Sequence, residues 1–356
     1  MSTYKPIWIQ RPLKRFLPKN LPDQICLSPF VSMSLSADGG VTLCGCSGWL
    51  PSEVGNLLNH SLDEILANVD STAIRQSIID GTYDFCNEST CGVIKHHQLG
   101  SKTIFDNQVQ ELFTDAARYI MPREIFIAGD VTCNLSCPSC RKHVIKNSDE
   151  DHARLENLGR ILKSNLFCTP TDQVIRLHIS TSGELFASPM LLAFVNDIPV
   201  DDFPRARLDI QTNGLLVPER WHRLGSMQDR VDSITVTVDA ARPDTYERLR
   251  RGGTWTGIQT ALTWIADKKL QNNMKFKTRM VVQHDNFEEM LEFYDMCKNL
   301  GVDVIEYTRI TNWGTYTRDE FALVDVFDPA HTQHQQAQQC LDQIKNLFGV
   351  FLHGGL

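Results

Sequence analysis

Three closely spaced cysteines, Cys133, Cys137 and Cys140, are the residues of this chain whose types and spacing point most clearly to chemistry. They form a C-x3-C-x2-C pattern shortly after the apolar run 124–128, which predicts a buried strand. A loop that follows a strand can turn three thiolates toward one point. Three thiolates on a [4Fe–4S] cluster leave its fourth iron without a protein ligand, so that this iron can bind and activate a small molecule.

Two other interpretations of these cysteines remain open at this point. Together with His143 they could make a Cys3His tetrahedron, an arrangement typical of structural zinc sites. They could also be ordinary cysteine side chains that bind no metal. The cysteine spacing alone does not decide among the three interpretations, so the other elements and motifs of the chain must do so.

The pattern after residue 123 predicts the elements that position this loop. Apolar segments with strand character alternate with helical segments, which is typical of a parallel α/β sheet or barrel. In such barrels the chemistry collects at the carboxyl ends of the strands. Strands are predicted at 124–129, 174–180, 206–211, 233–238, 276–283 and 303–310, and helices at 151–166, 187–197, 217–226, 243–250 with 255–268, and 286–299.

The cysteine spacing and the order of these elements resemble the radical S-adenosylmethionine (SAM) superfamily. In that family the open iron binds the methionine amine and carboxylate of SAM, and SAM cleavage gives a 5′-deoxyadenosyl radical that abstracts hydrogen from a substrate. The resemblance implies an α/β fold with a partial (β/α)6 barrel, similar to a TIM barrel. Two positions depart from the family pattern: Ser139 stands where an aromatic residue is usual, and Ser182 replaces the first glycine of a Gly-Gly-Glu stretch.

The resemblance also implies SAM-binding residues at two of the predicted strand ends. The segment 180–184 is similar to Gly-Gly-Glu, so Gly183 would let the backbone approach SAM and Glu184 would accept a hydrogen bond from its ammonium group. Thr212 and Asn213 look like the start of the family's Thr-Asn-Gly stretch. An alternative role for Glu184 is to cap the helix that follows it.

The segment after the fourth predicted strand, 239–253, also resembles the family. Asp239 stands where a contact to the ribose or the substrate is expected. Arg250 could bind the SAM carboxylate with both arms of its guanidinium group. A solvated arginine on a helix surface is the alternative interpretation of Arg250.

Four cysteines before residue 95 indicate a second site. A hairpin turn signal at 37–40 lies between two short strand patterns, which places the first two of these cysteines near the ends of one hairpin. Four thiolates can fully ligate one [4Fe–4S] cluster or one zinc ion. The segment resembles the SPASM or twitch modules that hold auxiliary clusters, although here the module precedes the barrel and its closing cysteine pair has a wider spacing. The expected ligands are Cys26, Cys44, Cys86 and Cys91, with Cys46 as a spare that could replace Cys44.

The composition limits the classes of partner. The chain has 356 residues, 42% of them hydrophobic, a net charge of −8 and a pI near 5.8. The negative charge argues against general nucleic-acid binding. The chain has no apolar run of membrane-spanning length and no apolar signal sequence, so we expect a cytoplasmic protein without a membrane anchor. The domains are expected at 1–22 (extended arm), 23–95 (auxiliary-cluster domain), 96–122 (linker), 123–312 (barrel) and 313–356 (helical tail).

The resemblance implies an enzyme with two [4Fe–4S] clusters and SAM as cofactors. Family members with such added modules often modify ribosomally synthesised peptides by crosslinking, epimerisation or backbone excision. We therefore expect a peptide substrate and an electron donor such as flavodoxin or ferredoxin, and we consider a separate leader-peptide-binding protein as a further partner. The alternatives are a dehydrogenase or epimerase of a sugar or other small molecule, and an iron–sulfur or zinc protein without catalysis.

Overall fold

A computed structural model describes residues 13–95, 97–104, 111–145, 147–179 and 183–356. The first twelve residues of the predicted arm and the stretch Ser180–Ser182 lie outside the described residues. The chain divides into two compact units, Met1–Pro122 and Arg123–Leu356. In the described part of the chain no helix is both long and apolar enough to cross a membrane.

The first unit contains short strands and helices. The predicted hairpin is confirmed, because Ser34 pairs with Thr42 and Leu35 with Val41 in antiparallel register. The sequence also predicts a capping box from Ser61 and Glu64, three residues apart. The structure confirms it, because the Ser61 side chain accepts from the Glu64 backbone while Glu64 accepts from Ser61. The strands are β1 (Gln24–Ile25), β2 (Ser32–Leu35), β3 (Gly40–Thr42), β4 (Gly55–Asn56) and β5 (Gly100–Ser101), and the helices are α1 (Ser28–Val31), α2 (Leu62–Ala67), α3 (Val69–Ile79) and α4 (Gly92–Lys95).

The second unit is built on a parallel sheet whose strands lie side by side in sequence order. All six predicted strands are confirmed to within a few residues. This order, with helices between successive strands, is consistent with a partial TIM-like barrel. The strands are β6 (Glu124–Ile127), β7 (Ile175–Ile179), β8 (Ala206–Thr212), β9 (Val231–Thr237), β10 (Lys275–Val282), β11 (Val304–Arg309) and β12 (Val350–His353).

In this unit, helices connect successive strands of the sheet. The helix at 149–166 begins with a capping box at Ser148 and Asp151 and buries one stripe of leucines. The α-helices are α5 (Asp149–Leu166), α6 (Pro189–Asn196), α7 (Val217–Arg220), α8 (Pro243–Leu249), α9 (Trp255–Asn272), α10 (Met290–Asn299), α11 (Arg318–Val324) and α12 (His334–Ile344), and short 3-10 helices cover Leu185–Ala187, Trp221–Arg230 and Phe287–Glu289.

Two predictions for the second unit need correction. The helix predicted at 217–226 is α-helical only over Val217–Arg220, and the 3-10 structure that follows is interrupted by a kink at Gly225, whose φ is 56°. The tail predicted as helical also contains β12, which pairs in parallel with β11. The sequence 350–353 is too short to separate from a helix end by its pattern alone.

The sheet of the second unit has two different faces. Alternate residues such as Ile125, Leu177 and Ile210 are completely buried and form the apolar core beneath the helices. Most of the residues between them are polar or charged, and most are half-buried. We call the second face the inner face; its residues include Glu124, Arg176, His178, Asp209, Gln211, Arg279 and Glu306.

Candidate active site

The loop after β6 carries the three closely spaced cysteines. The backbone N–H groups of Cys140 and Arg141 both donate to the Cys137 carbonyl, at 3.0 and 2.9 Å, and so close a tight turn. The N–H of Leu135 donates to the Cys133 sulfur at 3.4 Å. Cys137 is buried and Cys133 half-buried, whereas Cys140 is exposed. The loop therefore presents three thiols from within eight residues.

A second segment, 250–253, holds this loop in place. Ser136 donates its N–H to the Arg251 carbonyl at 3.0 Å, and the Arg251 Nε donates back to the Ser136 carbonyl at 2.9 Å. Gly252 adopts a φ of 96°, and a Cβ at this position would stand 3.4 Å from the Asn134 carbonyl oxygen. The left-handed conformation and the close backbone both favour glycine at this position.

Positive groups surround the thiols. The Arg141 guanidinium donates to the Val131 carbonyl at 2.7 Å and to the Cys140 sulfur at 3.5 Å. Burial raises the pKa of Cys137, and the Arg250 cation partly opposes this effect. Burial likewise raises the pKa of Cys133, against the hydrogen bond from the Leu135 N–H. Donors and cations stabilise thiolates, so this environment suits cysteines that act as metal ligands.

Gly183 packs directly against the backbone that leads into the cysteine loop. A Cβ at this position would stand 2.4 Å from the Thr132 carbonyl oxygen and 2.6 Å from that of Asp130. The next residue, Glu184, donates its N–H to the same Thr132 carbonyl at 2.8 Å. Only glycine permits this approach, which joins the exit of β7 to the exit of β6.

The Glu184 carboxylate is almost completely buried and accepts three hydrogen bonds. The donors are the Thr212 hydroxyl at 2.7 Å, the Asn213 backbone N–H at 2.7 Å and the Phe186 N–H at 3.2 Å. The last of these caps the 3-10 helix 185–187, which is the alternative role considered for Glu184. Burial raises the pKa of Glu184, although these hydrogen bonds oppose the rise.

Asn213 connects the β8 exit to the cysteine loop. Its Nδ2 donates to the Asn134 Oδ1 at 2.8 Å and lies 3.9 Å from the Cys133 sulfur. Its Oδ1 accepts from the Leu215 N–H at 3.1 Å, which fixes the orientation of the amide. The structure thus brings Gly183, Glu184, Thr212 and Asn213 to the cysteine loop, as the sequence motifs predict.

Asp239 and Arg250 form a buried ion pair at 3.2 Å. Asp239 has a left-handed φ of 65° and accepts a second hydrogen bond from the Val281 N–H at 2.7 Å. The Nη2 of Arg250 donates to the Thr237 carbonyl. Two of the three guanidinium nitrogens are thus bound within the protein, whereas the buried Nε has no partner among the described residues. Arg250 is buried and is therefore not the solvated helix arginine of the alternative interpretation.

Sequence reasoning missed Asp130, which has no motif around it. This buried carboxylate follows β6 and accepts from the Thr132 N–H at 2.8 Å and from the Thr132 hydroxyl at 2.7 Å. The Asn147 amide donates to both side chains, at 3.2 and 2.7 Å. Asp130 therefore fixes the entry to the cysteine loop.

The polar pairs of the inner face were also missed. His178 lies between two carboxylates, with its Nε2 2.6 Å from Glu124 and its Nδ1 3.3 Å from Asp209. Arg176 lies within 3.5 Å of the same two carboxylates and, across β8, 3.2 Å from Asp232. Such pairs depend on the register of neighbouring strands, which the motifs do not reveal.

Farther along the inner face, Arg279 of β10 is held by the neighbouring strand β11 and, across β9, by β8. It donates to the Gln211 Oε1 at 2.8 Å and to the Glu306 Oε2 at 2.7 Å. Glu306 is buried and Arg279 half-buried. The inner face therefore presents fixed charges of both signs.

In the first unit, four thiols line one small cavity. The cavity walls include Cys26, Cys44, Cys86 and Cys91, whereas Cys46 does not contribute to them. Burial raises the pKa of Cys44 to about 12, and the neighbouring thiols contribute to the rise. Burial also raises the pKa values of Cys26 and Cys86. Four thiols that influence one another from the walls of one cavity suit a shared metal cofactor.

His143, the fourth ligand of the zinc alternative for the central loop, is exposed. Among the described residues no three Cys, His, Asp or Glu side chains stand close enough to share a single metal ion, either in the cysteine loop or in the four-thiol cavity. The three isolated cysteines after the central loop are expected from the sequence to be buried apolar thiols. Cys297 is buried, Cys340 is half-buried and Cys168 is exposed. The prediction for Cys168 was therefore wrong.

Comparison with known families decides the nature of the site. The model of the radical SAM superfamily matches residues 131–321, which is more than half of the chain. This chain belongs to the radical SAM superfamily. A second model, that of the SPASM iron–sulfur cluster-binding domain, matches residues 26–92 and so precedes the radical SAM core. Radical SAM and SPASM domains together imply [4Fe–4S] clusters and SAM as cofactors, which confirms the predicted family and cofactors.

The curated relatives of this radical SAM protein are distant. It is 27% identical over 129 residues to the FeMo cofactor biosynthesis protein NifB of Frankia alni, which covers 35% of this chain and 25% of that protein. It is 25% identical over 198 residues to the GTP 3′,8-cyclase of Alkaliphilus metalliredigens (strain QYMF), and this match covers 53% of this chain and 57% of that protein. The chain thus spans between a quarter and about three fifths of the length of these relatives.

Among solved structures, the chain is similar to Streptococcus suis SuiB bound to the precursor peptide SuiA. The sequence identity is 12%, the TM-score is 0.45, and the match covers 91% of this chain and 73% of that one.

Proposed function

We propose that this radical SAM enzyme modifies a ribosomally synthesised peptide by hydrogen abstraction, with crosslinking, epimerisation or backbone excision as the outcome. The observation that carries the proposal is the division of seven cysteines into two sets. A set of three suits a cluster with an open iron, and a set of four suits a cluster fully ligated by protein. These sets are Cys133, Cys137 and Cys140 in the second unit, and Cys26, Cys44, Cys86 and Cys91 in the first.

The residues around the cysteine loop are assigned to SAM. When bound, the cluster and SAM supply the 5′-deoxyadenosyl radical that abstracts hydrogen. Glu184 fixes the strand ends through Thr212 and Asn213, and Gly183 keeps this edge against the loop. Asp239 fixes the position of the Arg250 guanidinium through a buried ion pair. These residues position SAM at the cysteine loop and exclude water from the site. None of them needs to exchange a proton with the substrate.

A peptide substrate is proposed from the added module. Radical SAM proteins with SPASM-type modules often act on ribosomally synthesised peptides, and the four-thiol cavity of the first unit has the character of such a module. The proposal includes a cytoplasmic location and an electron donor such as flavodoxin or ferredoxin. It also includes a separate leader-peptide-binding protein as a possible partner.

A small polar molecule, such as a sugar, is the second candidate substrate. The inner face favours it, because Arg279, Glu306 and Gln211 present fixed polar groups of a kind that bind hydroxyl and carboxylate groups. Under this proposal the enzyme is a dehydrogenase or an epimerase, and the radical chemistry of SAM is the same.

One experiment tests the core of the proposal. Anaerobically reconstituted protein should contain about eight irons per chain, as two four-iron clusters require. With a reductant and SAM it should release 5′-deoxyadenosine and methionine, measured by chromatography. Zinc at one or two ions per chain, without iron, would contradict the proposal and favour the non-catalytic alternative.

A second experiment separates the two substrates. Peptides encoded beside the gene are co-expressed with the enzyme and analysed by mass spectrometry, and deuterated sugars are supplied to the reconstituted enzyme in parallel. A mass change in a peptide supports the first candidate. Deuterium transfer from a sugar into 5′-deoxyadenosine, with no change in any peptide, overturns it in favour of the second.

A further inference from the structure

Two buried hydrogen-bond donors near the cysteine loop have no partner among the described residues. They are the hydroxyl of Tyr246, whose residue is completely buried, and the Nε of Arg250, whose residue is 9% exposed. A buried donor without a partner is costly, and such groups are rare in native proteins. Two such donors, one helical turn apart, therefore indicate that a group bound in the active enzyme accepts their hydrogen bonds.

The positions of these donors are tied to the cysteine loop. Tyr246 lies on α8, and its ring packs edge-on against Trp255 with 5.8 Å between the ring centres. Its hydroxyl stands 2.9 Å from the point where a Cβ on Gly253 would lie. The turn that contains Gly253 is hydrogen-bonded to the loop through Arg251 and Ser136.

Arg250 is held through two of its guanidinium nitrogens, and its buried Nε has no partner among the described residues. Its Nη1 is bound by Asp239 and its Nη2 by the Thr237 carbonyl. The Arg250 guanidinium interacts electrostatically with several titratable groups, namely the Cys137 and Cys133 thiols, Asp239 and Tyr246. The Cys137 thiol also interacts electrostatically with the Tyr246 hydroxyl. Both donors therefore belong to the surroundings of the Cys137 side of the loop.

We propose that Tyr246 and Arg250 donate hydrogen bonds to the sulfur atoms of the catalytic [4Fe–4S] cluster on its Cys137 side, and that they raise its reduction potential. Reduction adds negative charge to the cluster, and donors directed at its sulfurs stabilise that charge. Tyr246 is a positioning residue in this role and needs no contact with substrate. The inference rests on the proposed function only in requiring a cluster on Cys133, Cys137 and Cys140.

The test uses Tyr246→Phe, which removes the hydroxyl and keeps the ring. Tyr294→Phe is the control, because the Tyr294 hydroxyl lies on α10 and donates to the Phe348 carbonyl at 3.4 Å rather than facing the turn at 250–253. The reduction potential is measured on reconstituted enzyme by EPR-monitored titration, and the catalytic cluster is recognised by the signal that SAM changes. We expect full iron content in both variants and a more negative potential of the catalytic cluster in Tyr246→Phe alone. Arg250→Lys should shift the potential less than Arg250→Gln, because lysine keeps the charge.

A stability measurement provides a second readout. In the iron-free protein the hydroxyl has no partner, so Tyr246→Phe should leave the melting temperature unchanged or raise it. In the reconstituted protein the same change should lower it. A catalytic-cluster potential equal to that of wild type would overturn the inference, and so would a changed SAM affinity with an unchanged potential in the absence of SAM, which would assign the donors to SAM. If wild-type protein assembles no iron at the three cysteines, the proposed function itself fails.

Discussion

Glu184 and Asn213 are joined by a hydrogen bond of 2.7 Å from the Asn213 backbone N–H to the Glu184 carboxylate. This contact links the carboxyl ends of β7 and β8, two neighbouring parallel strands. The side chain of Asn213 then reaches the cysteine loop through Asn134. The buried Glu184 carboxylate is thus linked to the cysteine loop indirectly, through Asn213 and Asn134.

The first prediction is that Glu184→Ala weakens SAM binding. The variant removes the acceptor of three hydrogen bonds, and a lost charge-assisted contact costs about 1.5–3 kcal/mol. The dissociation constant for SAM, measured by calorimetry under anaerobic conditions, should rise roughly ten- to a hundredfold. The free energy of unfolding of the iron-free protein should fall as well, because the donors at Thr212 and Asn213 lose their partner.

Glu289→Ala is the control for this loss of stability. Glu289 is also a buried carboxylate that accepts from backbone N–H groups, those of Ala241 at 2.7 Å and Arg242 at 3.1 Å. It should lower stability by a similar amount and leave the SAM dissociation constant near that of wild type. An unchanged SAM affinity in Glu184→Ala would restrict Glu184 to its role as the cap of helix 185–187.

The second prediction concerns the three cysteines of the loop. Replacing Cys133, Cys137 and Cys140 together with alanine should remove about half of the iron, because one of two four-iron clusters loses its ligands. Release of 5′-deoxyadenosine should fall to background. Iron is measured by a colorimetric assay on reconstituted protein. Retention of full iron content in the triple variant would mean that these residues do not hold a cluster.

The fold was largely predictable because its signals are local. The strands at 206–212 and 275–282 carry clear apolar patterns, and the capping box at Ser61 needs only two residues three positions apart. Spacing likewise identified the cysteine loop. The short strand β12 lacked such a signal, because four residues show too few repeats of an alternating pattern.

The surroundings of the site were less predictable because they depend on contacts between distant segments. The unpaired hydroxyl of Tyr246 follows from the packing of α8 against the turn at 250–253, which no local pattern encodes. Gly183 was expected to approach SAM, whereas the structure shows its close approach to the backbone at 130–132. Arg250 was expected to offer a two-armed fork, but Asp239 and the Thr237 carbonyl already bind two of its nitrogens.

The third prediction concerns the reactivity of the thiols in iron-free protein. The thiolate is the reactive form, and burial raises the pKa of Cys44 to about 12. At pH 8 iodoacetamide should therefore modify the exposed Cys140 and Cys168 much faster than Cys44, as peptide mass spectrometry can measure. Modification of Cys44 at a rate equal to that of Cys168 would contradict the buried position of its thiol.

The same shift has a consequence for stability. Because the pKa of Cys44 is higher in the folded than in the unfolded chain, the folded state holds the thiol proton more strongly. The resulting contribution of Cys44 to the free energy of unfolding is fully present below about pH 8.5, the usual thiol pKa. It is lost as the pH rises through the pKa of Cys44 in the folded chain. Metal binding must displace the same proton, so cluster assembly in the first unit should be slower at pH 7 than at pH 8.5.

The last prediction separates the roles of the two cysteine sets. Single serine variants of Cys26, Cys44, Cys86 and Cys91 should each lose up to half of the iron, because each residue lines the four-thiol cavity. SAM cleavage without substrate should continue, since the three-cysteine loop is intact, whereas product formation should fall strongly. Cys46→Ser is the matched control, because Cys46 lies outside the cavity wall, and it should resemble wild type in both assays. Each variant must first melt cooperatively, because metal ligands also contribute to folding. Loss of iron in Cys46→Ser together with full iron in Cys44→Ser would exchange the two assignments, and full iron and full product in all five variants would leave this unit without a cluster.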